Sequence, residues 1–379
     1  MDMQKPFTVE NSSSSEAIAA ADRVRERDLD YIVEALREEL ATIAGHRLLI
    51  TGGAGFLGYY LVQAATHWNQ REPSAQIEVD VFDSYLRGVP EWLTALSGDV
   101  RITQQDMREP LPADAGPWHY IIHAAGIASP SVYRRYPLET MDANINGLRS
   151  LLDLGARTDL RGMLFFSSSE IYGDPVPDAI PTPETYRGNV SCTGPRACYD
   201  ESKRYGETLV VTFAGHYGVP VRTARPFNNY GPGMKITDGR VIADFCRNVL
   251  AGEDIVMLSD GSPTRTFCYV ADAVIGYYKV LVRGRPGEPY NIGVESPEIS
   301  MADLAREIAT AGRANHGYQG SVIHAASPEA DYLIDNPNRR CPSIAKAASE
   351  LDYAPSITLE DGLRRTLSWY AGQPAATGV

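Results

Sequence analysis

Positive charge is the first thing this 379-residue sequence is short of: 35 Lys and Arg stand against 48 Asp and Glu, for a formal net charge of −13. Nucleic-acid binding needs a basic patch or stripe, and the cationic residues are scattered, so no DNA or RNA partner is expected. Cysteine is scarce as well. The five present, Cys192, Cys198, Cys246, Cys268 and Cys341, are odd in number and lack CxxC or Cys/His ligand spacing. Neither a disulfide framework nor a metal site is indicated, and a reducing compartment is expected. No apolar run reaches the roughly 18 residues of a membrane span, and the leading residues lack the apolar centre of a secretory signal. The expectation is a cytoplasmic protein with no membrane partner. No internal repeat or low-complexity linker divides the chain. Apolar residues, by contrast, are plentiful at 44%, enough for a large core.

Residues 1 to about 15 are polar and serine-rich and are expected to be disordered. From Glu16 to Ala44 charges of both signs surround Ile32, Leu36, Leu40 and Ile43 at helical spacing, which predicts an amphipathic helix. It would pack on its own domain, with a subunit contact as the alternative. Next, the apolar run Arg47–Thr51 reads as a buried parallel strand. It leads through Gly52-Gly-Ala-Gly55-Phe56-Leu57-Gly58 into a helical stretch, Tyr59 to Trp68. Strand, glycine turn and helix together form a dinucleotide-binding signature. The glycines allow a tight turn and close backbone approach, and the helix N-terminus meets a pyrophosphate. A second strand, Ile77–Phe82, ends at Asp83, where an acid accepts ribose hydroxyls and repels a 2′-phosphate. This favours NAD over NADP, although Arg87 lies nearby in the sequence.

Further strands are predicted near Val100–Gln104, Tyr120–His123, Met163–Ser167 and Val221–Arg225, with helices over Leu138–Leu154 and Arg196–Tyr217. The alternation predicts an α/β fold, a Rossmann-like doubly wound parallel sheet. Its ligand crevice lies at the carboxyl ends of the strands, where Asp106-Met107, Ala124-Ala125 and Ser167-Ser168-Ser169-Glu170 would gather. The expected organisation is an N-terminal extension (1–45), an NAD-binding region (46–230, with 174–198 contributing to the substrate site) and a smaller α/β region mainly for substrate (231–379). On a helix Tyr199 and Lys203 share a face. An ammonium and a cationic nicotinamide beside a phenol favour its ionised form, so Tyr199 is the candidate base for oxidising an alcohol.

Taken in order, Thr51–Gly58, Ser167-Ser-Ser-Glu-Ile-Tyr-Gly173, Tyr199-x-x-x-Lys203, Arg225-Pro-Phe-Asn-Asn-Tyr-Gly-Pro232 and Tyr269-Val-Ala-Asp272 resemble the extended short-chain dehydrogenase/reductases that modify nucleotide-sugars. Within that family, Gly194-Pro-Arg-Ala-Cys-Tyr-Asp-Glu-Ser-Lys-Arg204 is most similar to the UDP-glucuronate decarboxylases (UDP-xylose synthases), which have Gly at the place of Ser202. Asp238-Gly-Arg-Val241 and Thr264-Arg265-x-Phe267 are also similar.

The resemblance implies NAD held by Gly52, Gly55, Phe56, Leu57, Gly58, Asp83, Asp106, Met107, Ala124 and Ala125 together with Tyr199 and Lys203. It implies catalysis by Ser168, Glu170, Tyr199, Lys203 and Arg265, and nucleotide-sugar contacts from Ser129, Ser169, Asn228, Arg240 and Arg265. Glu170 would orient a water or handle the C5 proton, and Arg265 would lie near the sugar carboxylate. The implied activity is decarboxylation of UDP-glucuronate or a related nucleotide-uronate through a 4-keto sugar, in a homodimer. The alternatives are a 4-epimerase, then a 4,6-dehydratase, which typically carries Asp where this chain has Ser169, and last a non-catalytic NAD sensor. Departures at Arg187, at Ser191-Cys192-Thr193 and at Leu258-Ser259 leave the sugar and the nucleobase open.

Overall fold

Seven short apolar segments pair edge to edge into one parallel sheet in the computed structural model, which describes residues 15–325 and 336–374 apart from 87 and 113. The expected disorder of the first residues falls almost wholly outside the described residues, and so does Arg87. Across the sheet the strands run Val100–Gln104, Glu78–Asp83, Arg47–Thr51, Tyr120–His123, Gly162–Phe166, Val221–Pro226 and Pro289–Ile292. The order reverses between Arg47–Thr51 and Tyr120–His123, and a crevice opens at such a reversal. Side chains alternate between faces along a strand, so one face buries Leu48, Ile50, Ile122 and Leu164 and the other buries Leu49, Ile121, Met163 and Phe165. Helices Phe56–Arg71 and Val270–Arg283 cover the first face. Pro137–Gly155 and Ala197–Tyr217 cover the second.

The expected elements form with boundaries moved by a few residues. The glycine-loop helix starts at Phe56 because Gly55 is its extended N-cap. The region after Tyr230, expected to serve mainly substrate binding, also returns a helix and the seventh strand to the sheet. The N-terminal amphipathic stretch is two helices, Ser15–Ala35 and Arg37–Ile43, broken where Leu36 adopts φ −112° and ψ 14°.

Both N-terminal helices pack on their own chain, as expected. Asp28 is fully buried and accepts hydrogen bonds from Tyr60 (2.8 Å), Tyr269 (2.6 Å) and Arg365 (2.5 Å). Tyr31 donates to Asp272 (2.6 Å). The buried Glu39 pairs with Lys279 (3.1 Å) and Arg283 (2.6 Å). The extension therefore ties the glycine-loop helix to the C-terminal helix Leu359–Ala371. Among the described residues no helix is long and apolar enough to cross a membrane.

Candidate active site

The glycine loop is shaped to admit another backbone. Gly52 sits at φ +71°, and a Cβ there would lie 2.7 Å from the backbone of Ala125. A Cβ on Gly58 would lie 2.2 Å from the Gly53 carbonyl oxygen, so the helix can pack onto its own loop only with glycine at that place. The first-turn N–H groups of a helix have no partner within it, and those of Phe56, Leu57 and Gly58 form an anion-binding end. Asp83 closes the second strand and accepts from the N–H of Ala54 (3.1 Å) and of Tyr85 (3.0 Å), which fixes its carboxylate beside the loop. Asp106 pairs with Arg108 (2.6 Å), whose hydrogen bonds hold the Asp106 carboxyl below its ordinary pKa. Met107 is buried against Gly147. Ala124 and Ala125 follow the fourth strand, tied to the carbonyl and hydroxyl of Thr51. A left-handed glycine, a cradle that a Cβ would fill and a fixed acid at the ribose end are the features a bound NAD requires, and these residues fit it.

Tyr199 and Lys203 lie one turn apart on the helix Ala197–Tyr217, both buried. The Tyr199 phenol lies near Ser168, whose hydroxyl favours its ionised form and which caps the short turn Ser169–Tyr172. The ammonium of Lys203 donates to the Phe166 carbonyl (2.8 Å) and stands 5.7 Å from the centre of the Tyr199 ring. Burial pushes Tyr199 up to about 12, against the lowering effect of the nearby Ser168 hydroxyl, and pushes Lys203 down to about 7. In the protein by itself desolvation dominates the phenol, and the expected lowering calls for Lys203 and the cationic ring of the cofactor together.

Glu170 lies beside this pair, gripped by two arginines that sequence reasoning did not single out. Arg340 binds both its oxygens (2.7 and 2.5 Å), and Arg196 binds one (2.5 Å). Burial works to raise the Glu170 pKa, but Arg340 and Arg196 outweigh burial and hold it well below the carboxylate range. Glu170 is thus a fixed anion, poorly suited to accept a proton. Arg265 is buried without an ion pair among the described residues. It donates to the carbonyls of Thr264 (2.7 Å), Pro337 (2.5 Å) and Asn338 (3.1 Å), and burial with Arg340 nearby pushes it down to about 9.

Asn228 sits at φ +40° and donates to the Thr266 carbonyl (2.9 Å). Arg240 lies over the Phe56 ring (5.8 Å) and pairs with Asp238 (3.1 Å), whose carbonyl accepts from Ser129 (3.2 Å). Ser169 is buried in the turn after Ser168. Arg196 lay within a quoted motif, but the Arg339-Arg340 doublet had no local signal.

The NAD dependent epimerase/dehydratase family matches residues 48–293. UDP-glucuronic acid decarboxylase 3 of Arabidopsis thaliana is 37% identical over 319 residues, 84% of this chain and 86% of that one. UDP-glucuronic acid decarboxylase 1 of Xenopus tropicalis is 34% identical over 330 residues, 86% of this chain and 72% of that one. Among solved structures, a dTDP-glucose 4,6-dehydratase from Streptomyces venezuelae with NAD bound superimposes with a TM-score of 0.73 at 26% identity, covering 86% of this chain and 96% of that one. The chain belongs to the NAD-dependent epimerase/dehydratase family.

Proposed function

We propose that the protein decarboxylates UDP-glucuronate to a UDP-pentose through a 4-keto sugar. The observation that carries this reading is the surplus of guanidinium beside Tyr199. Arg196, Arg340 and Arg265 all act on Glu170, and Arg265 has no carboxylate of its own among the described residues. Arg196 also has Asp200 (3.8 Å), but the charge of Arg265 is met only by neutral oxygens among the described residues; a buried charge is costly unless it is paired with an opposite one, so a substrate that brings a carboxylate suits this pocket. A 4-epimerase has no need of an anion at C6 and must let the keto-sugar rotate, whereas charge-assisted contacts to a carboxylate would hold it in one orientation.

NAD, when bound, supplies a two-electron acceptor that is restored within each turnover. Tyr199 removes the C4 hydroxyl proton, Ser168 holds the C4 oxygen, and Lys203 stabilises the phenolate. The resulting ketone lies β to the carboxylate. Loss of carbon dioxide then sends the C5–C6 bonding electrons into an enolate whose oxygen is at C4, where Ser168 and the newly protonated Tyr199 can donate to it. Protonation at C5 and return of hydride to C4 complete the pentose. UDP-glucuronate incubated with the NAD-loaded protein is expected to yield carbon dioxide and a five-carbon sugar nucleotide.

With Asp83 beside the loop, NADP is expected to bind at least ~10-fold more weakly than NAD, a difference of about 1.4 kcal/mol. Equal affinities by calorimetry would remove that role from Asp83. A homodimer is the proposed assembly. Leu138 on the helix Pro137–Gly155 and Tyr205, Val211 and Tyr217 on the catalytic helix are large apolar side chains left exposed, and symmetric pairing would cover them. Light scattering should give twice the 41.5 kDa of one chain. A single-chain mass at micromolar concentration would contradict the pairing.

A further inference from the structure

Ser202 stands between Tyr199 and Lys203 in the chain, at the place where the similar run of the decarboxylases has Gly, and its side chain is buried. Its hydroxyl donates to the Tyr199 carbonyl (2.9 Å) and accepts from the side-chain amide of Asn144 (2.9 Å), which reaches across from the helix Pro137–Gly155. A serine hydroxyl carries one proton. With that proton given to Tyr199, the hydroxyl turns a lone pair to Asn144 and can take only the N–H end of the amide. The amide oxygen must then point the other way.

That oxygen is buried and meets no hydrogen-bond partner among the described residues, although buried polar atoms are nearly always paired. A Cβ on Gly126 would stand 2.6 Å from it and 3.5 Å from Nζ of Lys203. Both atoms therefore border one gap, left open by the glycine that follows Ala124-Ala125. The oxygen is the negative end of the amide dipole, and a negative end near an ammonium favours its charged form. Lys203 has no ion pair among the described residues, and burial drives it down to about 7. The other groups around it bring no negative charge. Phe165 and Phe166 offer a ring (5.2 Å) and a carbonyl (2.8 Å) from their strand. Tyr199 lies on its own helix, and burial holds His123, at the end of the strand Tyr120–His123, neutral at about 3.

We infer that Ser202 is a positioning residue for the Tyr199–Lys203 pair, holding the Asn144 amide with its oxygen toward the Lys203 ammonium. The inference rests on the acid-base role proposed above for that pair, whatever becomes of the sugar. An amide turned end for end would put its N–H groups toward Lys203 and favour the neutral amine, which cannot stabilise a phenolate.

The test follows the charge of Lys203 directly. It is one of five lysines, so lysine labelled with carbon-13 at Cε gives a short spectrum, in which the Lys203 signal is the one lost from Lys203→Met. The NAD-loaded protein is titrated without sugar. Ser202→Ala should fold, since alanine is the best helix former, and should move the Lys203 titration down by about 1 unit, the usual scale of a shift caused by surroundings. Ser202→Gly, with the residue of the similar run, should move it in the same direction. Ser202→Ala made on top of Asn144→Ala should move it no further. Lys203 titrating as in the native protein in the two single Ser202 variants would overturn the role and leave Ser202 as helix packing. An equal further shift in the Asn144→Ala background would also overturn it, since Ser202 would not then act through Asn144. Neither result bears on decarboxylation, which fails separately if the native protein releases no carbon dioxide from UDP-glucuronate.

Discussion

Replacing Tyr199 by Phe should lower turnover by roughly 10²- to 10⁴-fold, the usual effect of removing a positioned acid-base group, while NAD and nucleotide-sugar still bind. The substitution keeps the ring that stacks on Tyr133 and deletes the phenol oxygen near Ser168. The helix is not at risk, since Lys203 is anchored separately on the Phe166 carbonyl. Single-turnover kinetics with equilibrium binding separates the two consequences. Turnover within a few-fold of the native rate would mean that the Tyr–Lys pair only packs the helix.

The second large effect concerns stability. Asp28→Ala should destabilise the fold by about 3–5 kcal/mol, the range for breaking a buried ion pair by removing one partner. Arg365 stays buried and loses its Asp28 bond, keeping Asp361 as its carboxylate partner among the described residues (2.6 Å). The hydroxyls of Tyr60 and Tyr269 lose an acceptor at the same time. Urea unfolding measures the loss directly, and a change under ~1 kcal/mol would place it in the range of an exposed salt bridge. The site should feel it too, because Tyr269 follows Arg265 closely in the chain and Tyr60 belongs to the glycine-loop helix.

The parts of the molecule that repeat a simple period were legible in the sequence. The strand Arg47–Thr51, the glycine loop and the helix carrying Tyr199 and Lys203 each show a local pattern tied to backbone geometry. The seventh strand was not legible. Pro289–Ile292 has only four residues, and its Asn291 is buried by donating to the carbonyls of Thr182 and Ser343, a tertiary arrangement that imitates loop composition. The break at Leu36 was hidden because Leu36 and Leu40 are both buried, so the apolar stripe runs on through it. Within the site, Glu170 was found but the arginines that grip it were not. Its affinity for a proton is lowered by Arg340, which comes from a two-residue strand distant in sequence.

The most direct test of decarboxylation is the fate of the sixth carbon. UDP-glucuronate labelled with carbon-13 at C6, incubated with the NAD-loaded protein, is predicted to give labelled carbon dioxide and a UDP-pentose in equal amounts by NMR and mass spectrometry. A sugar nucleotide that keeps the label at C6, with C4 inverted, would contradict the account and leave a 4-epimerase in its place.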